Sequence, residues 1–437
     1  MKKVSLAIIA FMLLLTACSS DRVLDAPPPE STAERTATAS EPPVTAITDH
    51  SETESVKSAD LEPMINIETL EAEMEIAENN METSIRLFDK ISVERGNSMF
   101  SPLSLNMALG LLEAGADGSS KAELDRYLGT ESYADFAQGY MEKVRENYNS
   151  QEYAGEEYRN LFEIANSFWA DNTLPLKPEY RDGISEKFGA EIRNLNFGNK
   201  EETLNTVNGW IDEKTHELIP QALGDYGEND VAILVNTVYF ESGWWNEWSY
   251  YEDRTQDFTL PDGSTKRMPL MENGLGAYYE NDMATAFGAG YRNGMSFIGI
   301  LPKNKGDFTL EELDIPSLLE SESHMYDVRA RMPRLNFETD IPLTDLLKSA
   351  GLGDIFDKDK ADFSGISEQQ LFVSEVLQKT KLELDEYGTR AAAVTIELAA
   401  ARALREQKKV YLDRPFAFLI YDEEEEQIVF IGKVTDP

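Results

Sequence analysis

The chain is poor in cysteine and histidine. Of its 437 residues only Cys18 is a cysteine, so no disulfide can form within one chain and no cysteine-based metal site is plausible. The three histidines, His50, His216 and His324, lie far apart in sequence and show no spacing typical of a metal or catalytic site. We therefore expect neither a metal nor a cofactor.

Positive charge is also scarce. The chain has 40 Lys and Arg against 80 Asp and Glu, a formal net charge of −40. A surface of this charge argues against nucleic acids and heparin-type polyanions as partners. Basic partners or a high-salt habitat are compatible with it, and the simplest interpretation is a well-solvated acidic surface.

The N-terminus has the pattern of a secretory signal. Two lysines precede an apolar run from about residue 4 to residue 15, which is short for a membrane span. The run ends in LTAC, which resembles the bacterial lipobox and so implies cleavage before Cys18 and a lipid on its thiol. An ordinary signal peptide with an incidental cysteine is the alternative. We predict a lipoprotein signal peptide at 1–17 and a membrane-anchored protein outside the cytoplasm, in the outer membrane of a Gram-negative cell, or extracellular.

The next segment, 18–70, is rich in Ser, Thr, Pro and Glu and lacks the apolar density needed to fold. We interpret it as the lipidated cysteine followed by a disordered tether that holds a folded domain off the lipid surface. No second linker interrupts residues 71–437, which we predict to be a single domain.

Apolar periodicity in that domain predicts both helices and strands. METSIRLFDKI reads as an amphipathic helix, and FSPLSLNMALGLLEAGA as a buried helix that starts near Pro102. VAILVNTVYF (231–240) suits a strand covered on both faces, and 379–385 alternates charged with uncharged residues. RPFAFLIYDEEEEQIVFIGKV reads as two strands joined by an acidic turn, Asp422–Glu426, which we expect to be solvated. Helices first and strands largely later indicate an α+β domain.

Several of these segments resemble the signature segments of the serpins. NSMFSPLSLNMALGLLEAGADGSSKAEL, LVNTVYFESGWW, ADFSGIS, LELDEYGTRAAAVT and the C-terminal strand pair occur in serpin order and spacing, and the likeness covers nearly all of 75–437. It implies the serpin fold, with N-terminal helices, three β-sheets and an exposed reactive loop at about 386–408. It also implies a protease inhibitor without catalytic residues of its own, which acts as a suicide substrate: the cut loop inserts into the main sheet and traps the acyl-enzyme.

Insertion makes physical demands on the loop. Every second side chain of an inserted strand faces the core, a proline would break the ladder, and a hinge needs backbone freedom. No proline occurs from Glu386 to Arg414, and Gly388 stands at the hinge. The predicted hinge and inserting residues are Glu386, Gly388, Thr389, Ala391, Ala393 and Thr395. Such a loop favours an inhibitor over a mere substrate.

One inward-facing position departs from the pattern: the Glu397 carboxylate would be costly to bury without a partner, and its late place in the insertion leaves access to solvent as the alternative. Counting as in a typical serpin loop places the bait bond at Arg402–Ala403, and arginine suits the pocket of a trypsin-like protease. Cleavage by an elastase-like enzyme within Ala399–Ala401, or cleavage at Arg405, stays open.

The resemblance also assigns a region where the main sheet opens. Its residues here are Ser101, Ser104, Asn236, Trp244 and Gln378. Gln378 stands where many serpins have histidine, so we predict that insertion lacks that titratable switch near neutral pH. Helix capping or packing is the alternative role for the Ser and Asn residues.

The sequence thus favours a monomeric, lipid-anchored inhibitor that forms a covalent acyl complex with a trypsin-like serine protease. A non-inhibitory serpin that serves as a surface binding protein is the competing hypothesis. A hydrolase is disfavoured, because neither a nucleophile elbow nor a metal-binding spacing is present.

Overall fold

The computed structural model describes residues 7–17, 80–92, 96–130, 132–149, 160–246, 248–275, 277–324, 326–389 and 406–437. These residues belong to one compact unit, made of Met1–Cys18 and Ile67–Pro437. A second unit, Ser19–Asn66, lies outside the described residues. Within the described ranges, no helix is long and apolar enough to cross a membrane.

The described helices are concentrated in the first half of the domain. They are α1 (Asn80–Ser92), α2 (Pro102–Glu113), α3 (Gly118–Leu128), α4 (Tyr133–Lys143, continued by a π-helical turn Val144–Tyr148), α5 (Pro178–Phe188), α6 (Lys200–Lys214), α7 (Ile315–Glu320) and α8 (Thr344–Ser349). Two short 3₁₀ turns cover Glu311–Leu313 and Asp354–Phe356.

The described strands are most numerous in the second half of the chain, although the first one lies at the N-terminus. They are β1 (Ala7–Ala17), β2 (Ser98–Phe100), β3 (Leu161–Asp171), β4 (Glu191–Leu195), β5 (Asp230–Gly243), β6 (Thr255–Thr259), β7 (Thr265–Pro269), β8 (Met271–Leu275), β9 (Ala277–Glu280), β10 (Ala284–Gly290), β11 (Ser296–Pro302), β12 (Asp327–Met332), β13 (Leu335–Pro342), β14 (Leu371–Leu384), β15 (Gly388–Thr389), β16 (Gln407–Tyr411), β17 (Phe416–Asp422) and β18 (Gln427–Val434).

These strands form three main sheets and a hairpin. The first sheet has the order β13-β14-β1-β5-β3-β4, with β15 pairing at the end of β5. Its neighbours are antiparallel except for the parallel pair β3 and β4. The second sheet has the order β2-β18-β17-β11-β10-β9, the third β16-β12-β8, and β6 pairs with β7. This arrangement is the α+β fold that the sequence predicts.

Helix α2 is the buried helix that the sequence predicts. Pro102 occupies its first turn, where a missing N–H costs nothing, and every residue of the helix is buried. The helix packs between β5 of the first sheet and β18 of the second. It therefore lies directly behind the middle of the first sheet.

Strand β5 is covered on both faces, as its apolar run predicts. Leu234 and Val238 belong to the main core with α2. Ile233 and Val235, which point the opposite way, pack with Trp210 of α6 in a second core. Both faces of the first sheet are thus dry along this strand, so any neighbour of β5 must be largely apolar.

Strand β14 shows the predicted alternation. Thr380 and Leu382 are buried, while Lys379 and Lys381 pair with acidic residues of β13 on the other face. Lys379 Nζ lies 2.8 Å from an oxygen of Asp340 and Lys381 Nζ 3.1 Å from one of Glu338. These are directly opposed residues in the antiparallel register.

The acidic turn between β17 and β18 differs from the expectation at its first residue. Glu423, Glu424 and Glu426 are exposed, but Asp422 is only 2% exposed. Its Oδ2 accepts hydrogen bonds from the hydroxyls of Tyr140 (3.0 Å) and Tyr148 (2.6 Å). The prediction of a wholly solvated run was therefore wrong for Asp422, because partners more than 270 positions away in sequence satisfy its carboxylate.

Candidate functional site

The predicted site residues that the structure describes lie in two groups along the first sheet. We name Ser101, Ser104, Asn236 and Gln378 the polar cluster, and Trp244, Glu386, Gly388 and Thr389 the hinge cluster. The other predicted positions, Cys18, Ala391, Ala393, Thr395, Glu397, Arg402 and Ala403, lie outside the described residues.

The polar cluster starts at the N-cap of α2. Ser101 has extended backbone geometry, and its Oγ accepts a hydrogen bond from the Ser104 N–H at 3.1 Å. The same hydroxyl donates to the carbonyl of Val429 in β18 at 2.6 Å. The capping role that the sequence left open is therefore real, and it also ties α2 to the second sheet.

A chain of side-chain amides continues from α2 across the first sheet. Ser104 Oγ donates to Asn236 Oδ1 in β5, and Asn236 Nδ2 donates to Asn166 Oδ1 in β3 at 2.8 Å. Asn166 Nδ2 in turn donates to the carbonyl of Phe188 at 2.9 Å. Sequence reasoning did not single out Asn166, which is the register partner of Asn236 but lies 70 positions earlier.

Gln378 fastens β14 to the same helix start. Its Oε1 accepts from the Ser101 N–H at 2.8 Å and its Nε2 donates to the Ser101 carbonyl at 3.1 Å. The side chain is fully buried and carries no titratable group. Strands β5 and β14 are thus each bonded to the start of α2, and neither bond involves a residue of the strand between them.

The hinge cluster lies at the far end of β5 and β14. Glu386 forms a bidentate ion pair with Arg334, with Nε to Oε2 at 2.8 Å and Nη2 to Oε1 at 2.6 Å. The Arg334 guanidinium also lies 3.5 Å from the centroid of the Tyr250 ring. No local pattern in the sequence connects Arg334 with Glu386, since 52 positions separate them.

Trp244 contacts the turn at residues 385–387, which includes Glu386. Its indole is buried and stacks on Tyr291, with ring centroids 4.4 Å apart. Trp244 Nε1 donates to the carbonyl of Asp385 at 2.9 Å, and its backbone N–H donates to the carbonyl of Tyr387 at 3.1 Å. Both hydrogen bonds from the tryptophan go to backbone carbonyls, so they do not depend on which side chains the turn carries.

Gly388 and Thr389 form β15, the start of the loop. Gly388 has φ +140°, and a Cβ there would clash with the carbonyl of Ser242, so only glycine fits. Thr389 is fully buried and its hydroxyl lies 2.8 Å from that of Tyr291. The residues predicted as hinge glycine and first inserting side chain therefore pair with the end of β5.

Asp385 precedes the turn and is partly buried. Burial, and next the negative charge of Glu386, raise its pKa from 3.8 to about 6, against the opposing effects of the Tyr387 N–H and Arg334. Since the raised pKa belongs to the folded state, the carboxyl gains protons on folding between about pH 4 and pH 6. The turn is therefore stabilised below about pH 4 relative to neutral pH, and that stabilisation is lost as the pH rises through about 6.

We expect Asp385→Asn, which mimics the protonated acid, to match the parent in unfolding free energy at pH 4. At pH 7 the variant should be more stable by up to about 3 kcal/mol, because the parent must bury a charged carboxylate there. Urea titrations at several pH values measure the difference. The exposed Asp253→Asn is the matched control, and an offset for Asp385→Asn that does not vary with pH would contradict the assignment.

The side chains of the two clusters form hydrogen bonds to the main chain and pack in the interior. In the described parts of the chain, no group of His, Cys, Asp or Glu side chains is arranged to hold a metal ion. What the geometry offers is a strand position between β5 and β14, with a glycine hinge and a buried threonine at its entrance.

Comparison with known proteins agrees with this geometry. The family model for Serpin (serine protease inhibitor) matches residues 78–437. Human neuroserpin is 28% identical over 373 residues, covering 81% of this chain and 90% of neuroserpin. Mouse leukocyte elastase inhibitor A is 28% identical over 375 residues, covering 81% of this chain and 97% of that protein.

Solved structures give the same result. The native state of the thermophilic serpin tengpin is 29% identical, with a TM-score of 0.69 over 81% of this chain and 92% of tengpin. Its latent state has a TM-score of 0.67 at 28% identity, covering 83% of this chain and 99% of that one. The chain belongs to the serpin family of serine protease inhibitors.

Proposed function

We propose that this serpin is a suicide-substrate inhibitor of trypsin-like serine proteases, which traps the acyl-enzyme by inserting its cut loop between β5 and β14. The observation that carries the proposal is β15: Gly388 and Thr389 already pair antiparallel with the end of β5. Insertion would extend this ladder along β5, in the position that β1 occupies in the described sheet.

The register of that ladder can be extended along β5. Gly388 is opposite Gly243 and Thr389 opposite Ser242, so each later loop residue would meet the preceding residue of β5. Ala391, Ala393 and Thr395 would meet Phe240, Val238 and Asn236 respectively. These β5 residues face α2, so the small loop residues would enter the packed side of the sheet.

Length also fits the proposed bait bond. Strand β5 has 14 residues, Asp230–Gly243, and the loop segment 388–401 has the same number. Complete insertion would therefore place Arg402 just beyond the far end of β5. Thirteen residue steps separate Thr389 from Arg402, which in a strand span about 45 Å. That displacement would carry an attached protease most of the length of the domain.

In the proposed reaction the protease supplies the catalytic groups. Its serine attacks the Arg402 carbonyl, the Arg402–Ala403 peptide bond breaks, and an ester joins Arg402 to the protease while Ala403 leaves as a new amino terminus. Insertion must then outpace hydrolysis of that ester. The serpin contributes the bait, the hinge cluster and the strand position.

We expect Arg402→Ala to abolish the SDS-resistant adduct with trypsin, because a trypsin-like pocket needs the guanidinium. Gel electrophoresis after incubation with trypsin, with mass analysis of the cut loop, measures this. Arg405→Ala is the matched control and should leave the adduct intact.

If the parent's loop is cut quantitatively without an adduct, the chain is not an inhibitor of trypsin. Mouse leukocyte elastase inhibitor A is similar to this chain, so elastase belongs in the same panel. An adduct formed only with elastase, after cleavage within Ala399–Ala401, would replace the trypsin-like specificity.

Glu397 should limit insertion. In the extended register it would lie opposite Leu234 of β5, and the same row of β14 holds Val376. Both are fully buried, so placing an ionised carboxylate directly between them is costly. We therefore propose that Glu397 takes up a proton, or slows the last part of insertion.

We expect Glu397→Leu to raise the ratio of adduct to cleaved product several-fold at pH 7.5, since an apolar side chain removes the cost of burial. Lowering the pH should raise the parent's ratio and leave the variant's unchanged. Glu406→Leu, an exposed glutamate beyond the bait bond, is the control. An equal or lower adduct ratio for Glu397→Leu would refute the assigned register.

The second part of the proposal concerns location. We propose that the chain is anchored outside the cytoplasm by a lipid on Cys18, with 18–70 as the tether. The support comes from the sequence: a charged start, a short apolar run, LTAC and no other cysteine.

We expect Cys18→Ala to lose metabolic labelling by fatty acid, because the thiol is the proposed acceptor. The variant should accumulate either as a chain that retains residues 1–17 or as a soluble product. Ser19→Ala is the control and should keep its label. Membrane attachment of a processed Cys18→Ala chain would refute lipidation at this residue.

A further inference from the structure

The segment that the sequence assigns to the signal peptide is a strand of the first sheet. Strand β1 lies between β5 and β14 and is antiparallel to both. Its pairing with β5 starts at Ala7 opposite Phe240, and its pairing with β14 ends at Ala17 opposite Leu371. The strand therefore fills nearly the whole position into which the loop is proposed to insert.

If the loop inserts in the register of Gly388 and Thr389, it and β1 would need the same backbone positions of β5. The hinge pairs with β5 as far as Thr389 opposite Ser242, and β1 takes over at Phe240, so only Glu241 separates the two. In the extended loop register Ala391 would meet Phe240, the residue that Ala7 meets here. In this register the loop could pair with β5 only a residue or so beyond Thr389 unless β1 leaves.

Direction and composition also match. Both β1 and the inserted loop run antiparallel to β5, so β1 enters from the hinge end and finishes at the opposite end. Its sequence, AIIAFMLLLTA, contains no charge, proline or glycine. Such a segment can pair with neighbours on both edges and tolerates the dry surroundings of β5.

The end of β1 coincides with the predicted processing point. Its last residue is Ala17, and cleavage before Cys18 would remove the strand completely. We propose that Ala7–Ala17 is an intramolecular occupant of the insertion position, so that the uncut precursor is a protease substrate and becomes an inhibitor only when residues 1–17 are removed. This inference rests on the proposed inhibitory function.

Occupancy can be tested without any protease. In a Cys18→Ala chain shown by mass to retain residues 1–17, Ala10→Cys and Thr237→Cys place two thiols on directly opposed residues. Such pairs have Cα atoms about 5 Å apart, within the range of a disulfide. We expect mild oxidation to join them within one chain, with both thiols lost to alkylation.

The matched control pairs Ala10→Cys with Ala232→Cys. Ala232 is the register partner of Leu15, five residues along β1, so its thiol lies about 17 Å from that at position 10. It should stay reduced under the same conditions. No cross-link at 10–237, or equal cross-linking of both pairs, would overturn the occupancy.

The regulatory part is tested by adduct formation with trypsin. The precursor, a Cys18→Ala chain shown by mass to retain residues 1–17, should be cut in the loop with at least about tenfold less adduct than the cell-processed protein. Ala10→Pro in the precursor removes a main-chain donor from the middle of β1 and should restore adduct formation. Ala33→Pro, the same change outside β1, should not.

The outcomes separate the two proposals. If the processed protein forms adducts and the precursor forms as many, the occupant does not block insertion and this inference fails while the inhibitory function stands. If neither form gives an adduct with any protease of the panel, the inhibitory function fails, and the 10–237 cross-link alone decides whether β1 occupies the sheet.

Discussion

The inner edges of β5 and β14 carry rows of main-chain N–H and C=O groups that need partners, and the rest of the structure depends on this requirement. Strand β5 is buried on both faces and β14 on one, so an unpaired backbone group in the buried part would cost as much as a lost hydrogen bond or more. In the structure these groups pair with β1. Under the proposed function the inserted loop would satisfy the same groups once β1 is removed, so one sheet would hold alternative states.

Switching between such states requires that the surroundings stay fixed. The polar cluster keeps β5 and β14 fixed to the helix behind them, because Asn236 and Gln378 bond to the start of α2 and not to each other. The hinge cluster provides a defined entrance, since Trp244 and Arg334 hold the turn at Glu386 through backbone and ion-pair contacts. A fixed frame with a variable central strand is what the family's mechanism requires.

Much of this frame could be predicted from the sequence, because its signals are local. The apolar run of β5, the alternation in β14 and the capped start of α2 each follow from a few neighbouring residues. The partners Asn166, Arg334 and Tyr291 could not be predicted, since each meets its target across 50 or more positions and has no local signature. Asp422 was misjudged for the same reason: two distant tyrosines turn an acidic-turn residue into a buried acceptor.

The apolar segment at the N-terminus shows a different limit. Its hydrophobicity predicts that it avoids water, but not whether a membrane or a protein interior accepts it. The pairing with Thr237 and Lys379, more than 200 positions away, depends on the tertiary fold and leaves no trace in the segment itself. The loop residues beyond Thr389 have the same ambiguity, because alanine suits several backbone states.

Lateral ion pairs between β13 and β14 reinforce one edge of the first sheet. Lys379 with Asp340 and Lys381 with Glu338 join opposed residues on the outer face, and each contributes up to about 1 kcal/mol in addition to the ladder. No comparable charge spans the inner edge of β14, where β1 presents only uncharged residues. Strands β13 and β14 should consequently move together, with the edge between β14 and β1 as the weaker boundary, and high salt should weaken the ion pairs before it affects that boundary.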